Sequence, residues 1–398
     1  MRKRVRTFQS DVIGEKVTPK HFERFGNPKR TWKSSPGIDS PTETVVTAAS
    51  EVAQVKFDHL VRLTDDVGIL QHAKFVVPDR NHGYCTDDNA RALVAVLMAQ
   101  DNAANSAPIT DLAYTYISFL HHAFNHENGR FRNFMGYDRR WLEEVGSEDS
   151  HGRAIWGLGE AVAMAESDDI RAAAQHVFHK ALPVVIDFTS PRAWAFALIG
   201  IHAYLGKLNG DSRVRRVRDQ LADKLLRQYR ENATEDWPWI EDMVTYANGK
   251  VSQALILTGR SLQEREMLQA GLQSLEWLVN IQTDRRGHFV PIGNNGWYRR
   301  GGEKARFDQQ PIEAQGVIEA CRAAHEATDD PKWIAVAQRC LGWFFGRNDL
   351  NAPLYDRITG GCRDGLQSDG PNRNQGAEST LACILSLLNI RRMRCQED

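Results

Sequence analysis

The helical segments of this chain alternate between two kinds along the sequence. From about residue 43 onward, helical periodicity recurs with polar, Gly- or Pro-marked breaks. Odd-numbered segments are amphipathic; the seventh, for example, places Val214, Val217 and Leu221 on one face. Even-numbered segments, such as 92–98 and 194–199, are apolar nearly all round. A helix apolar on every side must be surrounded by protein, whereas an amphipathic helix keeps one face in water. This alternation predicts an outer ring of helices wrapped on an inner ring.

We therefore expect an all-α fold, an (α/α)6 toroid of about twelve helices with short β-hairpins in the connections. The expected helices lie near residues 43–63, 88–101, 109–125, 150–166, 168–184, 191–206, 211–231, 249–260, 262–281, 310–326, 331–346 and 375–393. The even-numbered ones should form the inner ring and run parallel to one another. An open solenoid is the main alternative, but its repeats usually leave a wet face on both helices, and no fixed repeat period is visible here.

The N-terminal stretch differs in composition from the rest of the chain. Residues 1–42 are basic, rich in Pro and Ser, and lack sustained periodicity. They are expected to form an N-terminal arm, with the toroid domain over residues 43–398.

Composition and charge exclude several classes of function. The net charge of −1 offers no broad basic face for a nucleic acid. No apolar run approaches the roughly 20 residues that span a bilayer, so no membrane association is expected. The six cysteines contain no Cys-x-x-Cys pair, and no signal-peptide pattern opens the sequence. Reduced thiols and a cytoplasmic location are therefore expected.

Polar residues gather at the start of five of the six expected inner helices. These clusters occupy residues 82–91, 147–153, 237–248, 306–313 and 372–379. A helix cap needs one side-chain oxygen, whereas these segments combine adjacent acids with Trp, Tyr, Asn, Gln, His and Arg. The odd-numbered helices begin more plainly. Because parallel inner helices begin at the same end of a ring, we expect the clusters to converge on one pocket.

A pocket lined with carboxylates, amides and aromatic rings suits a sugar, whose hydroxyls need hydrogen-bond partners and whose C–H faces stack on Trp and Tyr. The expected catalytic residues are Asp88, Asp149, Glu241, Asp242 and Glu378. The expected substrate-binding residues are His82, Tyr84, Asp87, His151, Arg153, Trp237, Trp239, Tyr246, Asn248, Trp297, Asp308, Gln309, Glu313 and Asn374. Each has a structural alternative, which is helix capping for the acids and core packing for the aromatic residues.

The geometry of this pocket can also be predicted. Around a six-membered ring, Asp88 should face Glu241 and Asp242, with Glu378 beside Asp88. One acid should be desolvated with a raised pKa and another ionised. Trp239, Tyr246 and Trp297 should be partly exposed to one cavity.

The sequence contains few motifs that would indicate a metal or a cofactor site. The histidines form neither an HExxH motif nor a spacing typical of zinc sites, and no Gly-rich phosphate loop is present. We expect no metal and no cofactor.

The ring of helices with acids at the inner starts resembles the six-hairpin glycosidase superfamily and its relatives, the sugar 2-epimerases. More narrowly, four blocks are similar to a bacterial domain often fused behind a nucleotide-sugar glycosyltransferase module. They are residues 63–91, 237–242, 308–314 and 376–380. The resemblance runs from about residue 50 to the end. It implies a carbohydrate-active enzyme with an oligosaccharide substrate, and a separate glycosyltransferase as a candidate partner.

Three functions fit this pattern. The first is a glycoside hydrolase, or a phosphorylase-like enzyme, that cleaves a bacterial oligosaccharide with one carboxylic acid and one carboxylate. The second is a sugar epimerase or isomerase of the same fold, in which histidines transfer protons at carbon. The third is a non-catalytic glycan-binding module associated with a glycosyltransferase. Facing carboxylates favour the first, two histidines across the cavity the second, and a collapsed or apolar mouth the third.

Overall fold

The computed structural model describes residue 52, residues 54–100 and residues 107–394. The expected N-terminal arm, residues 1–42, lies outside this part of the chain, as does most of the first expected helix before residue 54. Within the described part there are twelve α-helices, which we number α1 to α12. They are α1 (Asp58–Leu63), α2 (Thr86–Ala99), α3 (Ala107–Ala123), α4 (Glu148–Met164), α5 (Asp168–Ala181), α6 (Pro191–Lys207), α7 (Ser212–Asn232), α8 (Asn248–Leu262), α9 (Arg265–Ile281), α10 (Pro311–Thr328), α11 (Lys332–Phe344) and α12 (Ala377–Arg394).

Short antiparallel strands occupy the connections. They are β1 (Leu70–Lys74), β2 (Val77–Cys85), β3 (Phe124–Asn125), β4 (Arg130–Phe131), β5 (Phe134–Met135), β6 (Met243–Val244), β7 (Tyr298–Arg299), β8 (Leu366–Gln367) and β9 (Gly370–Pro371). The hairpin of β1 and β2 is extended by β5 into a three-stranded sheet, and the other strands form two-stranded pairs. This confirms the predicted all-α fold with small hairpins.

The even-numbered helices form a closed inner ring. Each packs against the next even-numbered helix, and α12 returns to contact α2. The odd-numbered helices α3, α5, α7, α9 and α11 each pack on the inner helix that precedes them in the chain. Every residue of α2 except Asp87 is buried, whereas the buried residues of α7 are confined to one face. The two kinds of helix seen in the sequence are therefore the inner and outer layers of an (α/α)6 toroid.

Glycines allow the inner helices to approach closely. A Cβ atom on Gly159 of α4 would lie 2.0 Å from the carbonyl oxygen of Gly200 on α6, and one on Gly249 of α8 would lie 2.1 Å from the carbonyl carbon of Gly316 on α10. No side chain fits at these two crossings, so the backbones pack directly on one another.

The inner helices begin at one end of the ring. Arg153 in α4 forms an ion pair with Asp87 in the first turn of α2. Asn248, the first residue of α8, is hydrogen-bonded to Arg192 of α6 and Glu313 of α10. Arg91 of α2 bonds Glu378 of α12. These contacts near the helix starts join α2 to α4 and α12, and α8 to α6 and α10, as expected for inner helices that run parallel. The described helices include none long and apolar enough to cross a membrane.

Candidate active site

A cavity of about 300 Å³ opens where α2 and α12 begin. Its wall contains Gln71, His72, Cys85, Asp87, Asp88, Arg91, Asn133, Phe134, Gln310, Asp364, Gly376, Glu378 and Ser379. Four of these carry carboxyl groups, and three of the four come from the first turns of two adjacent inner helices. The hairpin of β1 and β2 and the strand β5 supply the side walls. The cavity is therefore polar, acidic and open to solvent.

Arg91 joins three of the carboxyl groups. Its Nη2 atom lies 2.8 Å from Oδ1 of Asp87 and donates hydrogen bonds of 3.0 Å to Oδ1 of Asp88 and to Oε2 of Glu378. Because the last two oxygens lie at that distance from one nitrogen, they are separated by at most twice that distance. The contacts are charge-assisted, and the Arg91 side chain that makes them is only 3% exposed.

Asp88 differs from its neighbours in its protonation. Burial raises its pKa to about 7; Arg91 opposes this, and the negative charges of Asp87 and Glu378 add to it. The Cys85 thiol donates a hydrogen bond of 3.0 Å to Oδ2 of Asp88. Near neutral pH a substantial fraction of Asp88 is therefore a carboxylic acid that can donate a proton.

Asp87 behaves in the opposite way. Burial would raise its pKa, but the positive charges of Arg153 and Arg91 outweigh that effect and hold the pKa below its ordinary value. The side chain of Arg153 donates a short hydrogen bond to Oδ2 of Asp87. The first turn of α2 thus holds one carboxyl group whose pKa is lowered next to one whose pKa is raised.

Two residues that the sequence reasoning did not select also line the cavity. Asp364, in the connection before α12, has a pKa raised by burial, and its Oδ1 accepts a hydrogen bond of 2.7 Å from the backbone of Gly376. The pKa of His72 on β1 is lowered by burial and by the neighbouring His82. Both residues lie in connections that lead into inner helices, well before the first turn of the helix. The cavity is therefore lined by whole connections and not only by the last residues before each helix.

A second polar group lies at the starts of α4, α6 and α8. Asp149 accepts hydrogen bonds from Ser190 Oγ at 2.7 Å and from the Tyr246 hydroxyl at 2.5 Å. The Tyr246 ring lies 6.5 Å from that of Trp297, and both are partly exposed; that the two rings face one cavity stays a prediction. Arg153 links this group to the cavity, because it pairs with Asp87 and its charge also reaches Tyr246.

Glu241 and Asp242 are not brought into the wall around Asp88. Glu241 forms an ion pair of 2.7 Å with Arg192. Asp242 has an exposed side chain, and its backbone carbonyl accepts a hydrogen bond from Arg300. The acid that approaches Asp88 is Glu378, and the expectation that Glu241 and Asp242 face Asp88 is not met in this cavity.

The expected sugar platforms Trp237 and Trp239 are buried, which corrects the prediction that Trp239 is exposed. They are 3% and 0% exposed, and both rings contact Trp277 on α9. Their indole nitrogens donate to the backbone carbonyls of Glu241 and Met243. A buried Trp whose N–H is satisfied by backbone is a core residue and has no face left for a sugar.

Three further residues expected to bind substrate are internal. Tyr84 is 1% exposed and donates to Oδ2 of Asp65 at 2.7 Å. His151 is fully buried, its Nδ1 accepts from the backbone of Phe131, and burial lowers its pKa to about 3. Gln309 is also fully buried, with its amide bonded to Trp343, Asp349 and the backbone of Arg306. These polar groups are satisfied within the protein and hold the connections in place.

Asn248 and Glu313 are likewise buried and join α8 to α10. Glu313 accepts hydrogen bonds from the Ala247 backbone at 2.5 Å and from Asn248 Nδ2 at 2.7 Å. Burial raises the pKa of Glu313 to about 7, opposed by these hydrogen bonds and by Arg192. Glu313 thus satisfies backbone and side-chain donors at the start of the neighbouring helix.

The remaining expected residues lie nearer the rim. Asp308 is partly buried with a left-handed backbone (φ 59°), and its carbonyl accepts a hydrogen bond from Asn294. His82 and Asn374 line a second cavity beside the first, and the ring of His82 lies 4.5 Å from that of His72.

A cluster of possible metal ligands lies elsewhere in the described chain. Asp284, His288 and Asp349 place ligand atoms within 4.8 Å of one another. Arg306 already donates to Oδ1 of Asp349 at 2.7 Å, and His288 Nε2 lies 3.0 Å from the same oxygen. The cluster is balanced by its own cations.

Comparison with models of protein families and with curated proteins finds no match. Solved structures do resemble this chain. A cellobiose 2-epimerase from Bacillus thermoamylovorans is 12% identical, with a TM-score of 0.66, and the match covers 86% of this chain and 98% of that one. A D-mannose isomerase is 12% identical, with a TM-score of 0.63 and coverage of 90% and 100%. A family GH76 α-mannanase from Bacteroides thetaiotaomicron is 11% identical, with a TM-score of 0.61 and coverage of 89% and 97%. These likenesses show that the chain has an (α/α)6 toroid fold.

Proposed function

We propose that the protein is a glycoside hydrolase that cleaves an oligosaccharide, with Asp88 as the general acid and Glu378 as the nucleophile. The strongest support is the pair of carboxyl groups that accept hydrogen bonds from one nitrogen of Arg91. Burial raises the pKa of one of them, Asp88, to about 7. A solvent-accessible carboxylate next to a buried carboxylic acid is the arrangement that glycoside hydrolysis requires.

The reaction follows from these positions. Asp88 protonates the glycosidic oxygen as the bond to the anomeric carbon breaks, and the carboxylate of Glu378 attacks that carbon to form a glycosyl-enzyme. Asp88, now ionised, takes a proton from water, and the resulting hydroxide displaces Glu378. Arg91 balances the negative charge that moves between the two acids. Asp87, held ionised by Arg153, can accept hydrogen bonds from sugar hydroxyls.

The short separation favours retention of anomeric configuration. Inverting enzymes keep their two carboxyl groups about 6.5–9.5 Å apart to accommodate a water molecule, whereas retaining enzymes hold them about 5–5.5 Å apart. The Asp88 and Glu378 oxygens that share Arg91 Nη2 are at most 6.0 Å apart, twice their 3.0 Å distance from that nitrogen, which supports the retaining arrangement.

Epimerisation, the activity in the names of two structural neighbours, fits the cavity less well. Proton transfer at a sugar carbon by histidines needs two of them on opposite sides of the substrate. Among the described residues that line the cavity, His72 is the only histidine. Its neighbour His82 lies on the same hairpin, and His151 is sealed in the core. Four carboxyl groups and one histidine favour hydrolysis.

The proposal extends to the setting of the enzyme. The five cysteines within the described chain are free and buried, which fits a reducing, cytoplasmic environment. We propose that the substrate is an intracellular bacterial oligosaccharide, and that a separate glycosyltransferase makes it.

Activity screening tests the proposal. The purified full chain is incubated with a panel of bacterial oligosaccharides, with and without phosphate, and released sugars are quantified. We expect release of reducing sugar that does not need phosphate and that is lost in Asp88→Asn and Glu378→Gln. Asp242→Asn, which removes an exposed acid outside the cavity, is the matched control and should retain activity. Formation of an epimer without release of a smaller sugar would refute hydrolysis.

A further inference from the structure

A second cavity, of about 410 Å³, adjoins the catalytic cavity, and His72 belongs to the wall of both. The other polar or aromatic side chains in its wall are Lys74, Phe75, Asp79, His82 and Asn374. It lies along the hairpin of β1 and β2, next to the segment that leads into α12. A ligand in the catalytic cavity can therefore continue past His72 onto the hairpin.

Phe75 occupies an unusual backbone position in this hairpin. Lys74 pairs with Val77, so the loop between the strands has only two residues. Phe75 is the first of them and has φ 57°, a conformation that glycine adopts readily and a bulky side chain does not. Burial of the ring does not compensate for this, because the residue is 46% exposed. Strained, exposed residues of this kind are concentrated at binding sites.

The structure holds Phe75 firmly in relation to the catalytic acids. Its backbone N–H donates to Oδ1 of Asn374 at 3.0 Å, and its carbonyl accepts from the backbone of Gln375 at 2.9 Å. These partners lie three and four residues before Glu378 in the chain. The guanidinium of Arg373 lies 4.7 Å from the ring centroid and supports the ring. The aromatic ring is thus fixed to the segment that carries the proposed nucleophile.

We propose that this second cavity is a sugar-binding subsite in which Phe75 stacks on the unit next to the one held at Asp88 and Glu378. Lys74 and Asp79 provide a donor and an acceptor for hydroxyl groups of that unit. The substrate class is then an oligosaccharide of at least two units that passes His72, rather than a single sugar. This inference rests on the proposed function.

Substrate size provides the test. The two probes are a glycosyl fluoride, whose leaving group is too small to reach the hairpin, and an oligosaccharide of the same sugar that the screen identifies. The readout is the ratio of kcat/KM for the oligosaccharide to kcat/KM for the fluoride. Phe75→Gly should lower this ratio about tenfold, the loss expected for one aromatic stacking contact. Its Tm should not fall, because glycine relieves the strained backbone. Phe75→Trp, which keeps an aromatic ring, should give the same ratio as the unsubstituted protein.

The matched control is Ile358→Ala, which removes a large side chain that is 86% exposed and outside both cavities. It should leave the ratio unchanged. An unchanged ratio in Phe75→Gly, or an equal loss for both probes, would overturn the subsite.

Binding measurements separate this inference from hydrolysis itself. Saturation-transfer NMR with cello- and manno-oligosaccharides of two to four units is applied to the full chain and to Asp88→Asn. Binding that survives in Asp88→Asn but is lost in Phe75→Gly supports the subsite even if no hydrolysis is found. Binding that is equally strong in Phe75→Gly overturns the subsite even if hydrolysis is confirmed.

Discussion

Asp88 and Glu378 accept hydrogen bonds from the same nitrogen of Arg91, each at 3.0 Å. Their surroundings differ, because Asp88 is 4% exposed whereas the Glu378 side chain is 41% exposed. Desolvation disfavours the charged form of an acid. The buried member, Asp88, therefore keeps its proton to a higher pH than an ordinary aspartate does, and the exposed member, Glu378, is the one that substrate can reach.

This asymmetry predicts the pH dependence of turnover. The pKa of Asp88 is raised to about 7 by burial, and a general acid must be protonated to act. Activity should therefore fall as the pH rises through about 7, because the acid form of Asp88 disappears. The pH profile of kcat/KM should show this alkaline limb, and Asp88→Asn should lower kcat by about 10²–10⁴-fold.

A substrate with a good leaving group provides the control for this assignment. The first step on a glycosyl fluoride needs little protonation, so Asp88→Asn should lose much less activity on the fluoride than on an oligosaccharide. An equal loss on both substrates would assign Asp88 a role other than proton donation.

The stereochemistry of the product is the second prediction. Because the oxygens of Asp88 and Glu378 that share Arg91 Nη2 are at most 6.0 Å apart, the proposed mechanism predicts that the first-formed product has the anomeric configuration of the substrate. ¹H NMR of the anomeric proton in the first minutes of reaction measures this before mutarotation. Initial release of the opposite anomer would remove Glu378 as the nucleophile.

The fold could be predicted because its signal is long and repeated. The expected segment 211–231 corresponds to α7 (Ser212–Asn232), and its one-sided burial follows from apolar residues spaced between Val214 and Leu226. The all-round burial of α2 follows from an uninterrupted apolar run. Such patterns average over many residues, so an error at one position does not change the result.

The site was only partly predictable, because its decisive contacts come from distant parts of the chain. Trp237 and Trp239 lie beside paired acids, as sugar platforms do, but Trp277 on α9 covers them. Asp364 lines the cavity because its connection lies next to Gly376, whose backbone N–H donates a hydrogen bond to Asp364. No local pattern encodes either event. Asp88 and Glu378 line the cavity because each lies in the first turn of an inner helix that begins there.

The third prediction separates core aromatic residues from exposed ones. Trp239→Ala should lower the free energy of unfolding by about 3–5 kcal/mol, because it leaves a cavity against Trp277. Trp297→Ala removes a partly exposed ring that contacts Tyr246, so its cost should be below about 1.5 kcal/mol. Urea denaturation measures both values. A loss for Trp297→Ala as large as that for Trp239→Ala would place Trp297 in the core as well.

The fourth prediction concerns Glu313 and the pH dependence of stability. Its folded-state pKa is raised by burial to about 7, above the ordinary value of 4.5. The folded protein then binds one proton more than the unfolded chain between these values, so Glu313 makes stability fall as the pH rises from about 4.5 to about 7. Glu313→Gln cannot ionise and should flatten this fall in Tm.

Two other readouts accompany this variant. At pH 5 Glu313→Gln should be less stable by about 1–3 kcal/mol, because the new amide group faces a donor on Asn248. The alkaline limb of activity should remain, since it belongs to Asp88. A profile of Tm against pH identical to that of the unsubstituted protein would show that Glu313 is ionised throughout.

The last prediction removes the cation that the acids share. Arg91→Met leaves Asp87, Asp88 and Glu378 without the guanidinium that all three contact. Loss of one partner from a buried ion pair costs about 3–5 kcal/mol, because uncompensated charge stays in the protein. Without Arg91 the pKa of Asp88 should rise further and that of Asp87 should rise from its lowered value, so the destabilisation should be largest at neutral pH and shrink as the pH falls and these groups are protonated. Urea denaturation at pH 5 and pH 7.5 measures both effects. Arg230→Met, which breaks an exposed pair with Glu266, is the matched control and should cost much less stability than Arg91→Met at either pH, because solvent screens this pair. A loss for Arg91→Met no larger than for this control, or one that is independent of pH, would contradict the view that Arg91 holds three like charges together.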